Sequence, residues 1–241
     1  MIFSGRAYPK SLVTLLKDAQ VAATTVAGKD SYFEIKISGI AAGNYLFAVY
    51  AEDKEGRRSS LLTFPISVIF GATTKITGIF IAPTIDVDKI EVKKGDDIAV
   101  FGQSTPQAEI LMIFNSDEEE HFGKALSDKE GIYLYNFNTA PLEMGQHFTK
   151  SKASVKGEIS SFSSVIGFLV SKRNILREKK KCGRADLNCD GRVNLIDFSI
   201  AAFWYKRPLS SAFAKIEIER LNGDGKVNLV DFSIMAYYWT G

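Results

Sequence analysis

The residues of this chain best suited to chemistry are the Asp and Asn side chains of two similar segments near its C-terminal end. Oxygen-bearing residues stand at positions 1, 3, 5, 9 and 12 of the first segment, with glycine at position 6, and the second segment repeats this pattern after position 1. Such oxygens on alternate residues of a tight turn are the ligands of Ca²⁺ in calcium loops. The candidate ligands of segment 186–197 are Asp186, Asn188, Asp190, the carbonyl of Arg192, Asn194 and Asp197. Those of segment 220–231 are Asn222, Asp224, the carbonyl of Lys226, Asn228 and Asp231.

The two predicted calcium loops differ at position 1. The first loop has Asp186 there, which gives it a full ligand set, whereas the second loop has Arg220. Glu219 and Glu217 lie nearby in the sequence, but the spacing requires neither as a ligand. The sequence therefore predicts one complete Ca²⁺ site and a second that is weaker, or in which Arg220 neutralises the carboxylates in place of the ion.

An apolar and aromatic segment follows each loop, at 195–205 and at 229–239. Apolar residues recur there at helical spacing, as Leu195 and Phe198 do, so we predict a helix after each loop. Two short helices must pack on each other to form a core in so small a domain. Their apolar residues exceed what one buried stripe requires, and this excess predicts an exposed surface for a partner.

Tandem calcium loops with Asp at position 12, each followed by a helix and the first not preceded by one, resemble the dockerin domain. The resemblance covers residues 182–241 and implies Ca²⁺-dependent docking onto a cohesin-type partner outside the cell. Well-known dockerins carry small hydroxyl residues at loop positions 10 and 11, where the partner is selected. The corresponding residues here are aliphatic: Leu195, Ile196, Leu229 and Val230. This departure favours a more hydrophobic interface, and the similar helices predict a pseudo-twofold domain that a partner can bind in two orientations.

The two cysteines of the chain lie close to the first loop, with Cys182 before it and Cys189 at loop position 4. The tight turn between them can bring the thiols together as a disulfide, which an extracellular location favours; the alternative is two free thiols in a reducing compartment. A zinc site is disfavoured because His121 and His147 lie far away in the sequence.

Residues 1–170 predict an all-β structure. Apolar residues alternate with polar ones, as at Phe33, Ile35 and Ile37, and turn sequences follow at short, regular intervals. Segment 3–11 is repeated at 100–108, which predicts two sandwiches of one type. Their pattern resembles that of bacterial immunoglobulin-like surface repeats.

We therefore predict a multidomain chain of two all-β immunoglobulin-like sandwiches followed by a small α-helical dockerin-like domain with two calcium loops. The predicted bounds are 1–83 and 84–170 for the sandwiches, 171–181 for a charged linker and 182–241 for the helical domain. The first sandwich lacks a counterpart of segment 85–92, which opens the second. Because an extracellular protein is expected to begin with a signal sequence and none is found, we predict that the sequence is part of a longer protein.

Composition and motifs disfavour several classes of function. The net charge is only +2, from 30 basic and 28 acidic residues, which does not favour nucleic-acid binding. No apolar run approaches the ~20 residues of a membrane-spanning helix. The sequence contains no Gly-x-Ser-x-Gly motif and no glycine-rich phosphate loop, so we expect a non-catalytic protein.

The predicted function is Ca²⁺-dependent protein docking by a chain whose extracellular sandwiches act as spacers. One alternative is an accessory region of a polysaccharide-degrading assembly, since dockerins often accompany glycoside hydrolases. Another is a carbohydrate-binding or adhesive surface protein. Carbohydrate binding by a sandwich requires an exposed aromatic strip, for which Tyr133 and Tyr135 are the candidates.

Overall fold

The computed structural model describes residues 1–115, 119–178, 182–189 and 191–241. These residues form two compact units, Met1–Arg177 and Glu178–Gly241. The described strands all lie in the first unit and the described helices in the second, which is the predicted order of fold classes.

The first half of the β unit is a sandwich of two sheets. Its strands are β1 (Ile2–Arg6), β2 (Leu12–Lys17), β3 (Gln20–Val26), β4 (Tyr32–Lys36), β5 (Gly43–Glu52), β6 (Leu62–Val68) and β7 (Lys75–Phe80). One sheet has the order β4-β1-β7 and the other β3-β2-β5-β6. Phe3 and Phe33 of the first sheet and Val13 and Phe47 of the second belong to one buried cluster. Each sheet therefore buries one face against the other, which explains the apolar alternation of the sequence.

The second half of the β unit has the same architecture. Its strands are β8 (Asp86–Val87), β9 (Lys89–Lys93), β10 (Asp97–Gln103), β11 (Glu109–Asn115), β12 (Glu120–Leu126), β13 (Ile132–Asn138), β14 (Gly145–Val155), β15 (Glu158–Ile159), β16 (Ile166–Ser171) and β17 (Ile175–Leu176). One sheet has the order β13-β10-β8, and the other has the order β12-β11-β14-β16-β9-β17 with β15 beside β14. A separate buried cluster, which includes Ile98, Ile110, Met112 and Phe168, fills the space between these sheets. The predicted fold class of the β unit, an all-β immunoglobulin-like sandwich, is confirmed.

The sequence repeat corresponds to a repeat of strand register. Gly43 pairs with Val68 between β5 and β6, and Gly145 pairs with Val170 between β14 and β16. In the second sandwich, β9 pairs in parallel with β16. Within residues 1–115, no strand pairs with the outer edge of β6. The first sandwich therefore has no counterpart of β9 among the described strands.

Two glycines of the repeat have the same structural role. A Cβ atom on Gly5 would lie 1.9 Å from the carbonyl oxygen of Ile79, and one on Gly102 would lie 2.0 Å from that of Thr84. Only glycine allows the two backbones to approach so closely. The repeated Phe/Val-x-Gly pattern of the sequence therefore marks the place where a second chain segment crosses β1 and β10.

Polar groups join the two sandwiches around Asp53. Its Oδ2 atom accepts hydrogen bonds from Nε of Arg57 at 2.7 Å and from Oγ1 of Thr84 at 2.8 Å, and the carboxylate is 1 % exposed. The Oγ1 atom of Thr84 also accepts a hydrogen bond from the N–H of Gln103, at 2.9 Å. The hydroxyl of Tyr133 donates to the carbonyl of Thr84, at 2.7 Å. The segment between the sandwiches is therefore hydrogen-bonded to both of them.

The β unit extends further than its predicted boundary at residue 170. Strand β17 pairs with β9, and Nε of Arg177 lies 3.3 Å from Oδ1 of Asp86. The first part of the predicted linker 171–181 is therefore part of the second sandwich, because its apolar Ile175 and Leu176 complete a sheet edge. Residues 179–181 of that linker lie outside the described residues.

The second unit contains three helices, α1 (Leu195–Trp204), α2 (Ser211–Arg220) and α3 (Leu229–Tyr237). Helices α1 and α3 follow the two loops as predicted, whereas α2 was not predicted. It begins where Oγ of Ser210 accepts a hydrogen bond from the N–H of Phe213, at 3.2 Å. The Phe213 ring is buried and stacks on Trp204, with 5.1 Å between ring centroids. Helix α2 ends at Arg220, which is position 1 of the second loop, so the loop follows the helix directly.

Candidate metal centre and docking face

Each loop ends on a fully buried carboxylate at position 12, Asp197 at the start of α1 and Asp231 at the start of α3. Both accept hydrogen bonds from backbone N–H groups at loop positions 3 and 9, and Asp197 also accepts one from position 2. The donors to Asp197 are Leu187 (2.8 Å), Asn188 (3.2 Å) and Asn194 (2.9 Å), and those to Asp231 are Asn222 (3.4 Å) and Asn228 (2.8 Å). Each loop is therefore folded back onto the first turn of the helix that follows it.

The position-1 residue of the first loop, Asp186, is buried as well, at 2 % exposure. Its Oδ2 atom accepts a hydrogen bond from the N–H of Gly191 at loop position 6, at 2.9 Å. Gly191 has a φ of 89°, a backbone conformation that favours glycine. The predicted ligand at position 5, Asp190, lies outside the described residues.

In the second loop, Glu217 of α2 makes the contact that Asp186 makes in the first. Its Oε2 atom accepts a hydrogen bond from the N–H of Gly225 at loop position 6, at 3.1 Å. Its Oε1 atom accepts one from the N–H of Asp224, at 2.9 Å. The Glu217 side chain is fully buried. The sequence alone left this residue unassigned, because it precedes loop position 1 by three residues and only the turn of α2 brings it to the loop.

Arg220, which occupies position 1 of the second loop, points to the first loop instead. Its Nη1 atom donates to the carbonyls of Leu187, at 2.9 Å, and Asp186, at 3.3 Å. In the opposite direction, Nη2 of Arg184 donates to the carbonyl of Leu221, at 3.3 Å. The carbonyl at position 2 of each loop thus accepts a hydrogen bond from an arginine that lies in, or just before, the other loop. The contacts of Arg220 do not support the alternative in which it neutralises the carboxylates of the second loop, because its guanidinium donates to carbonyls of the first loop.

The side chains of the other predicted ligands in the second loop accept hydrogen bonds from backbone N–H groups close by in the sequence. Asn222 accepts a hydrogen bond from the N–H of Asp224, at 3.1 Å, and Asp224 accepts one from the N–H of Lys226, at 3.1 Å. The position-9 residues cap helices: Oδ1 of Asn194 accepts from Ile196, at 2.7 Å, and Oδ1 of Asn228 accepts from Val230, at 2.8 Å. In the first loop, Asn188 and Arg192 are exposed.

The donor set of the loops suits a hard cation. Asp197, Glu217 and Asp231 are fully buried, and none forms an ion pair with a lysine or arginine of the described chain. Burying a charge without a counter-charge is costly, and backbone N–H groups compensate only part of it. A carboxylate offers about four acceptor sites, so each of the three retains capacity beyond its present bonds. Ca²⁺ binds to oxygen ligands, and its positive charge would compensate the charge of these carboxylates.

The carboxylates are nevertheless not gathered around one point. Among the described residues, no three His, Cys, Asp or Glu side chains form a group that is placed to hold a metal ion. Asn side chains and backbone carbonyls would therefore supply a large part of the coordination in either loop.

A disulfide links Cys182 to Cys189, with 2.00 Å between the sulfur atoms and 4.7 Å between the Cα atoms. It joins the segment before the first loop to loop position 4. Cys189 has a φ of 60°, a left-handed conformation that a non-glycine residue adopts only when the surrounding turn holds it there. The disulfide therefore restrains the first loop, and the second loop has no cysteine at the equivalent position.

The four residues predicted to bind a partner are exposed in equivalent positions. Leu195 and Leu229 are 71 % and 70 % exposed, and Ile196 and Val230 are 57 % and 55 % exposed. Each pair occupies the first turn of its helix, because the N-cap residue stands just before it. The two copies thus present similar aliphatic pairs, Leu-Ile in one and Leu-Val in the other, which we call the docking pairs.

Of the two aromatic residues considered for carbohydrate binding, Tyr133 is buried and Tyr135 is partly buried. Tyr133 is 1 % exposed, and its hydroxyl bonds to Thr84 and lies 3.1 Å from Oγ of Ser151. Burial raises the pKa of Tyr133 far above its usual value, so the phenol stays protonated and acts as a donor. Tyr135 packs against the core of the second sandwich. The suggestion that these two residues form an exposed aromatic strip is wrong, because both point into the sandwich.

No protein-family model matches the chain, and no curated protein matches it. A tetra-tandem repeat from the extending region of a large adhesion protein is 14 % identical over 71 % of this chain, with a TM-score of 0.33. This chain spans 49 % of that repeat, which is less than two thirds of its length. Similarities this low carry no information about function.

Two further solved structures are similar to the chain at the same low level. The fibronectin(III)-like modules of Clostridium thermocellum CbhA are 20 % identical over 68 % of this chain and 80 % of theirs, with a TM-score of 0.26. The D00–D0 domain of intimin is 12 % identical over 71 % of this chain and all of its own, with a TM-score of 0.31. Within the described part of the chain, no helix has the length and apolar character needed to cross a membrane.

Proposed function

We propose that this chain is a non-catalytic extracellular protein whose helical unit docks onto a protein partner in a Ca²⁺-dependent manner, while its sandwiches act as a spacer. The observation that carries this proposal is the duplication within the helical unit. Both loops close on buried carboxylates, and both place a similar exposed aliphatic pair at the start of the following helix. The resemblance of 182–241 to dockerins makes a cohesin-type domain the partner of first choice.

In this proposal the first loop holds Ca²⁺ through its predicted oxygen ligands. These are Asp186, Asn188, Asp190, the carbonyl of Arg192, Asn194 and Asp197. The ion supplies positive charge next to carboxylates that are buried in the protein. Since Asp197 also belongs to α1, binding stabilises the first turn of that helix and with it the position of Leu195 and Ile196.

An extracellular location is supported by the disulfide between Cys182 and Cys189, because disulfides persist in oxidising environments. The spacer role of the sandwiches is supported by the buried hydrogen bonds around Asp53 and Thr84, which fix one sandwich to the other. A pair of sandwiches joined in this way is suited to the role of a spacer.

A second candidate function is adhesion by the β unit itself. The second sandwich exposes large apolar side chains on β12 and β13, namely Phe122, Leu126, Ile132 and Leu134. Exposed apolar side chains in such number are a feature of interaction surfaces. Adhesion through them requires neither Ca²⁺ nor the helical unit. A surface attachment that persists in EDTA and after all four docking-pair residues are changed to Asp would favour this candidate.

The proposed function is tested by Ca²⁺ binding to the intact chain. Calorimetric titration of the chelator-treated protein with CaCl₂ should show saturable binding, and Asp186→Asn should remove the binding of the first loop. Asp128→Asn is the matched control, because Asp128 also accepts backbone N–H groups in a turn, those of Glu130 and Ile132, but lies in the β unit. Absence of Ca²⁺ binding by the unmodified protein would contradict the proposal.

A further inference from the structure

We propose that Glu217 takes the place of the missing position-1 carboxylate of the second loop, so that this loop binds Ca²⁺ with one ligand supplied by helix α2. This inference rests on the proposed function. It replaces the expectation of a degenerate second site, which followed from Arg220 at position 1.

The first support is the comparison with the first loop. There the position-1 carboxylate, Asp186, accepts the N–H of the position-6 glycine at 2.9 Å. In the second loop Glu217 accepts the N–H of the position-6 glycine, Gly225, at 3.1 Å. Glu217 comes from one helical turn before position 1, and its side chain is one methylene longer than that of Asp. The longer side chain reaches from the end of α2 to the place that Asp186 occupies in its own loop.

The second support is the charge around Glu217. The carboxylate is fully buried, and no described lysine or arginine forms an ion pair with it. A buried carboxylate without a counter-ion is costly, and the two N–H groups of Asp224 and Gly225 compensate only part of that cost. A divalent cation in the loop would provide the missing charge. Counted along the sequence, Glu217, Asp224 and Asp231 give the second loop three carboxylates, as many as the first loop has. They do not form a metal-holding group as they stand, so Ca²⁺ binding would have to draw them together.

The third support is the position of Arg220. A guanidinium among the loop carboxylates would compete with a metal ion, but Arg220 donates to the carbonyls of Leu187 and Asp186 in the first loop. Its side chain is therefore engaged elsewhere. Position 1 of the second loop is therefore occupied by an arginine that is hydrogen-bonded to the first loop. In this proposal the carboxylate ligand comes from α2 instead.

The test counts Ca²⁺ ions per intact chain by calorimetric titration of the chelator-treated protein with CaCl₂. The unmodified protein should bind two ions. Glu217→Gln should abolish one site or weaken it by at least about 10-fold, and should leave the other unchanged. Asp186→Asn should remove the other site, and the double variant should bind none. Glu219→Gln is the matched control, because Glu219 lies two residues away on the same helix and is exposed.

The outcomes separate this inference from the proposed function. No binding by the unmodified protein overturns both. One ion, lost in Asp186→Asn and retained in Glu217→Gln, overturns the role of Glu217 and leaves the proposed function standing. Two ions that both persist in Glu217→Gln also overturn it. If Glu217→Gln does not fold, as judged by circular dichroism, Glu217→Asp keeps the charge but shortens the reach, and should weaken the second site alone. Unchanged affinity in that variant would overturn the inference.

Discussion

Glu217 and Asp186 make the same hydrogen bond in two loops: each carboxylate accepts the backbone N–H of the glycine at loop position 6. Asp186 belongs to its loop, whereas Glu217 reaches its loop from α2. The two loops therefore share this carboxylate contact in the structure, although their sequences differ at loop position 1, where the second loop has Arg220. A pattern of spaced residues does not reveal this relationship, because it depends on the helical turn that carries Glu217.

Replacing Arg220 with Ala should affect the first loop rather than the second. The variant loses the hydrogen bonds to the carbonyls of Leu187 and Asp186. The loss of such charged hydrogen bonds should reduce the free energy of unfolding of the helical unit by about 1–3 kcal/mol. Ca²⁺ affinity should fall at the site that Asp186→Asn removes. Calorimetric titration together with thermal unfolding in EDTA would measure both effects.

Arg184→Ala provides the mirror-image comparison for that experiment. Arg184 donates to the carbonyl of Leu221 in the second loop, at 3.3 Å. Its removal should therefore weaken the second site and leave the first. A stronger second site in Arg220→Ala, with an unchanged first site, would show instead that the Arg220 cation acts on the second loop.

Replacing Asp53 with Asn should weaken the junction between the two sandwiches. The carboxylate is buried and accepts hydrogen bonds from both Arg57 and Thr84. Removing one member of a fully buried ion pair typically costs about 3–5 kcal/mol, because the other charge is left unpaired. The Arg57 side chain is 23 % exposed, so water compensates part of its charge and the loss should lie below that range. We expect the β unit to unfold at a lower temperature and in two calorimetric transitions rather than one.

Asp128→Asn is the control for the Asp53 experiment, because the same Asp-Lys-Glu-Gly turn occurs at both places. Among the residues that the structure describes, the Asp128 carboxylate accepts hydrogen bonds only from the N–H groups of its own turn, Glu130 and Ile132, and it is exposed. Its replacement should change the unfolding of the β unit much less. Equal effects of the two variants would show that the turn, and not the junction, accounts for the loss.

The strands, the sandwich class and the helices α1 and α3 could be predicted from the sequence, because each has a clear apolar period. Helix α2 could not, since Ile216, Glu217 and Ile218 alternate as in a strand and only the Ser210 cap favours a helix. The buried Tyr133 was a candidate surface residue because an alternating strand does not show which face is covered. The direction of Arg220 could not be predicted either, since its acceptors lie in the other half of the unit.

Reducing the disulfide should destabilise the helical unit and leave the β unit unchanged, since neither cysteine lies in the β unit. For a loop as short as 182–189, the entropic contribution is about 2–3 kcal/mol. Ca²⁺ affinity should fall at the first loop, which contains Cys189, and not at the second. Calorimetric titration of Cys182→Ser/Cys189→Ser would measure this, with the dithiothreitol-treated protein as a second form of the same change. An effect confined to the second loop would contradict the expected restraint.

The last prediction concerns the docking pairs, which are exposed to the same degree in both copies. If either copy can bind the partner, Leu195→Asp/Ile196→Asp and Leu229→Asp/Val230→Asp should each retain binding within a few-fold. The fourfold variant should lose it, because neither copy then offers an apolar surface. Binding to a panel of immobilised cohesin-type domains, in CaCl₂ and in EDTA, would measure the effect. Each variant must keep its Ca²⁺ affinity and its helical circular dichroism.

The control for charge alone is Ser199→Asp/Ser233→Asp, which adds acidic residues to the same two helices. Ser199 and Ser233 are exposed and donate to the carbonyls of Leu195 and Leu229, one turn earlier. This variant should bind more tightly than the fourfold variant, since the docking pairs are intact. Loss of binding in one double variant alone would show that the copies are not equivalent. If no cohesin-type domain of the panel binds the unmodified protein in CaCl₂, docking of that kind is excluded and adhesion through the β unit becomes the better explanation of the fold.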